Sequence, residues 1–166
     1  MFRLASLAAA LALSAGLAHA QAPVITSPPS VTPSPTQLAA EAFLATNAKA
    51  PGVVALPSGL QYKVLASGPK GGPSPKLGDI IKVHYEGKLL DGTVFDSSFE
   101  RGKAAIMPLD GLVQAWLDAV PMMKVGDEWL LYVPPALGYG DRDTGPIPAG
   151  SVMTFRLRLV GMLAVD

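Results

Sequence analysis

The chain contains no cysteine. That excludes disulfides, thiolate nucleophiles, iron–sulfur clusters and cysteine-ligated zinc. Histidine is nearly absent too, with 2 in 166 residues, so most metal and acid–base chemistry is short of ligands. There is no excess charge of either sign: 13 Lys+Arg face 13 Asp+Glu. A general nucleic-acid binder normally carries a basic surplus, so that class is argued against. Long apolar runs are missing beyond the first twenty residues, so no ~20-residue membrane span is expected. What is abundant is glycine, 17 residues, and proline, 16 residues. With 49% hydrophobic residues the chain can still build a core, and its length suits one domain with an appendage.

Residues 1–20 read as an address. Arg3 gives a positive start, Leu4 to Leu17 is an uncharged run, and Ala18-His19-Ala20 offers a small-residue cleavage site. This is the pattern of a secretory signal peptide. The run is too short and too alanine-rich for a membrane span. Cleavage after Ala20 leaves 12 basic against 13 acidic residues, net −1, and one histidine, His84. The expected destination is the periplasm or the medium.

Residues 21–36 (QAPVITSPPSVTPSPT) hold five prolines and no charge. Proline fixes φ and lacks an N–H, so an extended tether is expected. Thr36 is placed to cap a helix over residues 37–49, which Pro51-Gly52 stops. Leu38, Ala42 and Ala45 share one face of it, with Phe43 and Leu44 beside them. From Gly59 the period changes to two. Leu60, Tyr62 and Val64 alternate with Gln61 and Lys63, which reads as a strand. Residues 67–78 form a Gly/Pro loop. In the next strand Ile81, Val83, Tyr85 and Leu89 oppose Lys82, His84, Glu86 and Lys88. Asp91-Gly92 signals a hairpin into a strand over residues 93–97. Asp110 is placed to cap a short helix over residues 112–120. Strands follow at 128–133 and 152–160, separated by a long Pro/Gly-rich loop. In the last strand Met153, Phe155, Leu157 and Leu159 face inward.

One short helix must cover one face of several strands. The expected class is therefore α+β, a curved, mainly antiparallel sheet over that helix. The expected divisions are a signal peptide (1–20), a linker (21–36), a short helix and connector (37–58) and a main domain (59–166).

His84 lies among charged residues on the polar face of a strand, a poor setting for a general base. Asp141-x-Asp143-x-Gly145 faintly suggests a calcium loop, but its closing acidic position falls on Val152. No phosphate-binding glycine motif occurs. What remains is a set of aromatics at core positions, Tyr85, Phe95 and Trp116, with Asp96 directly beside Phe95. A carboxylate next to a buried run needs a partner, and Arg101 is the candidate.

These residues carry a resemblance. Val83-His84-Tyr85-Glu86-Gly87 is followed by Asp91-Gly92-Thr93-Val94-Phe95-Asp96-Ser97-Ser98. Then come Leu112-Val113-Gln114-Ala115-Trp116, Met123-Lys124-Val125-Gly126-Asp127 and Pro134-Pro135-Ala136-Leu137-Gly138-Tyr139-Gly140. Ile147-Pro148 and residues 152–159 complete the series. In order and spacing, about residues 59–162 resemble the FKBP-type peptidyl-prolyl cis–trans isomerases. Residues 43–49 leading into 56–62 resemble its exported, macrophage-infectivity-potentiator-like bacterial branch. That branch has a longer helical dimerisation region, so a monomer or weak dimer is expected here.

The resemblance implies a curved sheet wrapped around one helix, with the pocket between them. It implies catalytic roles for Asp96, Tyr139, Phe95 and Trp116, the last as the pocket floor. It implies substrate-binding roles for Tyr85, Arg101, Leu112, Val113, Ile147, Phe155 and Met107. Within that set Arg101 orients Asp96, while the Tyr139 hydroxyl and the Val113 N–H meet substrate carbonyls. Proline-containing polypeptides are the implied partners, a macrolide inhibitor is a possible competitor for the same pocket, and no cofactor is implied. Ala105 and Met107 replace bulkier family residues and should widen one side of the pocket, weakening macrolide binding more than turnover. Ala115 replaces the usual glycine before the tryptophan. The alternative is an exported holdase or proline-peptide binding module with little isomerase activity. A hydrolase using His84 ranks below both.

Overall fold

The computed structural model describes residues 32–165. The expected signal peptide and most of the proline-rich stretch lie outside the described residues. Helix α1 spans Pro35–Asn47. Strands β1 (Val53–Ala55), β2 (Gln61–Ala66), β3 (Ile80–Leu89), β4 (Val94–Ser97) and β5 (Ala105–Pro108) follow. Helix α2 (Gln114–Ala119), β6 (Glu128–Val133) and β7 (Met153–Leu163) complete the chain. The strands form one antiparallel sheet in the order β1-β2-β6-β7-β3-β4, with β5 also paired to β3.

Strand alternation divides the molecule. On β7, Met153, Phe155, Leu157 and Leu159 are at most 5% exposed, while Arg156 and Arg158 face out. On β3, Ile81 and Val83 point inward to meet them, paired through Met162 and Leu159. Helix α2 covers this inner, concave side with Ala115, Trp116 and Ala119. Each large aliphatic side chain so buried contributes about 1.5–3 kcal/mol.

Helix α1 packs on the opposite, convex side. A 13-residue helix is marginal alone, and contacts with the sheet dock it. Ala40 is 3% exposed, the Phe43 ring lies 6.0 Å from Tyr132, and Gln61 bridges to the helix. The Gln61 amide donates to the Leu44 carbonyl and accepts from Asn47 Nδ2, both at 2.9 Å.

Several expectations are corrected. Ser34, not Thr36, caps α1, in a reciprocal capping box with Gln37, and the helix starts at Pro35. Its packed face is Ala40, Phe43, Leu44 and Asn47, while Leu38 is 52% exposed. Alanines lie all round this helix, so periodicity could not choose the face; the larger side chains did. Gln61 is buried because α1 covers it, and Val64 is exposed where the β2–β6 register shifts at the sheet's end. Asp110 does not cap α2. Residues 109–113 instead turn at Gly111 (φ +64°) and run extended, so Val113 becomes the N-cap. After Ala119 the chain tightens into a 3₁₀ turn over Val120–Met122. Strands β1 and β5 were not foreseen; at three and four residues they carry too little pattern. No helix among the described residues is long and apolar enough to cross a membrane.

Candidate active site

The concave side holds a ring of perpendicular aromatics. Trp116, in the first turn of α2, meets Tyr85 at 5.3 Å and 76° and Phe155 at 5.5 Å and 88°. Phe155 meets Phe95 at 5.6 Å and 83°. Edge-to-face contacts of this kind suit the ring quadrupoles. The rings line an open cavity of about 690 Å³, together with Met107, Leu112, Val113, Tyr139 and Ile147.

Gly87 makes this arrangement possible. It sits on β3 opposite both Asp96 and Phe155. A Cβ there would lie 2.5 Å from the Phe95 ring and 2.9 Å from Phe155. Without one, both rings lie against the strand.

Asp96 is the carboxylate that lines the cavity. The Tyr85 hydroxyl donates to its Oδ2 at 2.5 Å, and Arg101 Nη1 donates to its Oδ1. Arg101 Nη2 also donates to the Tyr85 hydroxyl at 3.0 Å, closing a three-residue cycle. Desolvation pushes the Asp96 pKa up, but these two hydrogen bonds and the Arg101 charge outweigh it, leaving it below the 3.8 of a free aspartate. Tyr85 shifts the other way, above 10.0, through desolvation and then its bond to Asp96. Asp96 is therefore ionised and matched at neutral pH, a fixed dipole rather than a proton donor.

Ser98, fully buried, supports the cycle from behind. Its hydroxyl accepts from the Tyr85 N–H at 2.8 Å, and its own N–H donates to the Tyr85 carbonyl at 2.9 Å. Tyr85 is thus clamped at its backbone as well as its hydroxyl.

Two donors on lining residues have no protein partner among the described residues. The Tyr139 hydroxyl has no hydrogen bond among the described residues. Val113 accepts from the Trp116 and Leu117 N–H groups, at 2.9 and 3.4 Å, and no backbone carbonyl among the described residues takes its own N–H.

Comparison with known proteins agrees with this geometry. The family model described as FKBP-type peptidyl-prolyl cis-trans isomerase matches residues 71–160, over half of the chain. The chain belongs to that family. A second model, described as the domain amino terminal to FKBP-type peptidyl-prolyl isomerase, matches residues 33–64. The peptidyl-prolyl cis-trans isomerase Mip of Coxiella burnetii is 45% identical over 122 residues, 73% of this chain and 52% of that protein. The outer membrane protein MIP of Legionella longbeachae is 40% identical over 123 residues, 74% of this chain and 52% of that protein. The crystal structure of FkpA from Escherichia coli superposes with a TM-score of 0.72 at 32% identity, covering 76% of this chain and 59% of that one. The chain spans about half the length of the curated relatives it matches.

As an FKBP-type chain it gathers its sequence-named residues at one place. Phe95, Asp96, Trp116, Tyr139, Tyr85, Met107, Leu112, Val113, Ile147 and Phe155 all line the cavity. Arg101 does not line it; it stands behind Asp96. Ala105, expected to widen the pocket, is not among the lining residues and pairs with Val83 at the sheet edge. His84 stacks on Phe99 at 4.9 Å on the convex side, with its Nδ1 3.2 Å from Ser98 Oγ. It is outside this cavity, so it takes no part in chemistry there. Sequence reading missed the supporting roles of Gly87 and Ser98. Both stand inside the quoted motif, but a glycine's emptiness and a serine's backbone bonds leave no periodic signal. It also missed Gln114, Arg142 and Thr144 at the cavity mouth.

Proposed function

We propose that this chain accelerates cis–trans interconversion of X–Pro bonds in exported polypeptides, using the concave cup as its active site. The observation that carries the reading is an aromatic-walled cavity whose one lining carboxylate is already matched by Tyr85 and Arg101. Such a site suits a reaction that breaks no bond.

An X–Pro amide must lose its resonance to rotate, against a barrier of roughly 18–20 kcal/mol. In the twisted state charge separation falls, so an apolar cup favours it over the planar amide, which water favours. That is differential binding of the transition state. A thousandfold acceleration requires about 4 kcal/mol. In this reading the proline ring rests on Trp116 between Phe95 and Phe155. Tyr139 and the Val113 N–H hold the flanking carbonyls, confining rotation to one bond. Asp96 keeps Tyr85 and the wall in place and tunes polarity.

The reading extends to context. The name of the Legionella longbeachae relative refers to the outer membrane, which supports export, with residues 1–20 as the signal. The packed face of α1 is engaged by its own sheet, which supports a monomer or weak dimer. A macrolide ring would compete for the same cup. A holdase with little isomerase activity is the less favoured reading, since nothing in the cup is missing that twisting an amide requires.

The test is NMR exchange spectroscopy on a short X–Pro peptide. Micromolar protein should raise the cis–trans exchange rate far above its uncatalysed scale of tens to hundreds of seconds. An unchanged rate would falsify the proposal.

A further inference from the structure

The loop between β6 and β7 supplies part of the cup's wall. Tyr139, Arg142, Thr144 and Ile147 all line the cavity from it. Its backbone hydrogen bonds are local. The Arg142 N–H donates to the Tyr139 carbonyl at 3.2 Å, and the Thr144 N–H to the Ile147 carbonyl at 3.1 Å. The Gly150 N–H donates to the Gly140 carbonyl at 2.9 Å, which closes the loop at a neck one residue past Tyr139. Among the described residues, one hydrogen bond ties residues 138–150 to an element remote in the chain. Gln37 Nε2, on α1, donates to Asp141 Oδ1 at 3.0 Å.

Gln37 meets that neck at two points. Gly150 has φ +74°, and a Cβ there would lie 3.0 Å from Gln37 Cγ. The stem of the glutamine therefore rests on the glycine backbone while its amide reaches Asp141. The other end of that amide is fixed as well, because Gln37 Oε1 accepts from the Ser34 N–H at 2.7 Å in the capping box. Helix α1 is in turn held to the sheet through Gln61, which bonds Leu44 and Asn47. One side chain thus connects a docked helix to the neck of a loop that lines the cup.

We propose that Gln37 is a positioning residue for the cup: held by α1, it sets the neck of the β6–β7 loop and through it the Tyr139 hydroxyl. The inference rests on the isomerase reading and gives α1 a part in that same site. Gln37 does not line the cavity, so it acts only through the loop. Loss of one hydrogen bond of this kind corresponds to about 3–5-fold in kcat/KM.

The test is a role reversal across the contact. Gln37→Glu keeps the capping box, since a carboxylate also accepts from the Ser34 N–H, but sets two negative charges against each other at Asp141. Asp141→Asn alone keeps an acceptor for Gln37. Joined with Gln37→Glu, it restores a donor–acceptor pair, with the amide now at position 141. On a neutral X–Pro peptide, well below unfolding, Gln37→Glu should lower kcat/KM by about 3–5-fold. Asp141→Asn and the double variant should both stay within about 1.5-fold of wild type. Amide hydrogen exchange at Gly150 reads the neck without turnover, and it should quicken in Gln37→Glu and recover in the double variant. An unchanged kcat/KM in Gln37→Glu overturns the inference. So does a loss that Asp141→Asn fails to reverse, which would come from α1 itself, or a loss with no change in exchange at Gly150. Wild-type protein that turns over no peptide removes the isomerase reading and this inference with it.

Discussion

The two faces of the sheet are built from the same strands and do opposite things with polarity. On the concave side, Phe155 and Tyr85 join Trp116 and Phe95 around a cavity, and Asp96 is the one carboxylate that lines it. On the convex side, the residues one step along, Arg156 and His84, belong to a charged and stacked surface. There Glu128, 5% exposed, accepts from Arg156 Nε and Arg158 Nε, both at 2.6 Å. The Arg156 guanidinium lies 4.8 Å over Phe99, which stacks on His84. Burial pushes the Glu128 pKa up, and its two arginines more than reverse that, so it sits below its ordinary value. Charges on the convex side are matched to hold the sheet. On the concave side Asp96 is matched to stay silent. A strand period of two is enough to keep the two apart.

This contrast can be broken from either side. The largest effect is expected at the floor of the cup. Trp116→Ala removes a 5%-exposed ring and should cost about 3–5 kcal/mol in chemical denaturation, together with turnover. Next, Gly87→Ala forces a methyl against Phe95 and Phe155. It should cost about 1–3 kcal/mol and lower kcat/KM, since Phe95 must move into the cavity. On the convex side, Glu128→Gln should also cost about 1–3 kcal/mol by the same denaturation measurement. Its kcat/KM at a temperature well below unfolding should stay within about twofold of wild type, because the cup is untouched. An equal loss of activity there would erase the division between the faces. The smallest effect is Tyr139→Phe, which removes a hydroxyl with no protein partner. Stability should hold, while kcat/KM falls by roughly 2–10-fold, the worth of one hydrogen bond.

Much of the fold was legible because alternation is strong where both faces of a strand have work. β3 and β7 are legible from Ile81/Val83/Tyr85 against Lys82/His84/Glu86 and from Phe155/Leu157 against Arg156/Arg158. The pattern failed where tertiary contacts choose between equal options. Helix α1 has small residues all round, and only Phe43 meeting Tyr132 and Asn47 meeting Gln61 fix its docked face. Near α2, Asp110 is a good capping residue, yet the chain at Leu112 and Val113 is needed as cavity wall, so the helix starts later. The candidate site was legible through its motif residues, because aromatics and a lone aspartate stand out. Its supports were not. The Tyr85 hydroxyl bond to Asp96 crosses eleven residues of chain and two strands, and no local spacing encodes it.

The central claim is that the cup works by twisting an amide, with Asp96 ionised and bystanding, and with no proton in flight. Asp96 lies below its ordinary pKa and Tyr85 above its own. Stabilisation from ionised Asp96 is thus present above the unfolded carboxylate range and is lost only as pH falls through the lower, folded value. The direct measurement is kcat/KM on a neutral X–Pro peptide across pH in ordinary and heavy water. The account predicts a flat profile from about pH 5 to about pH 9 and a solvent isotope effect of about one. A bell-shaped profile within that window, with an isotope effect of about two or more, would contradict it.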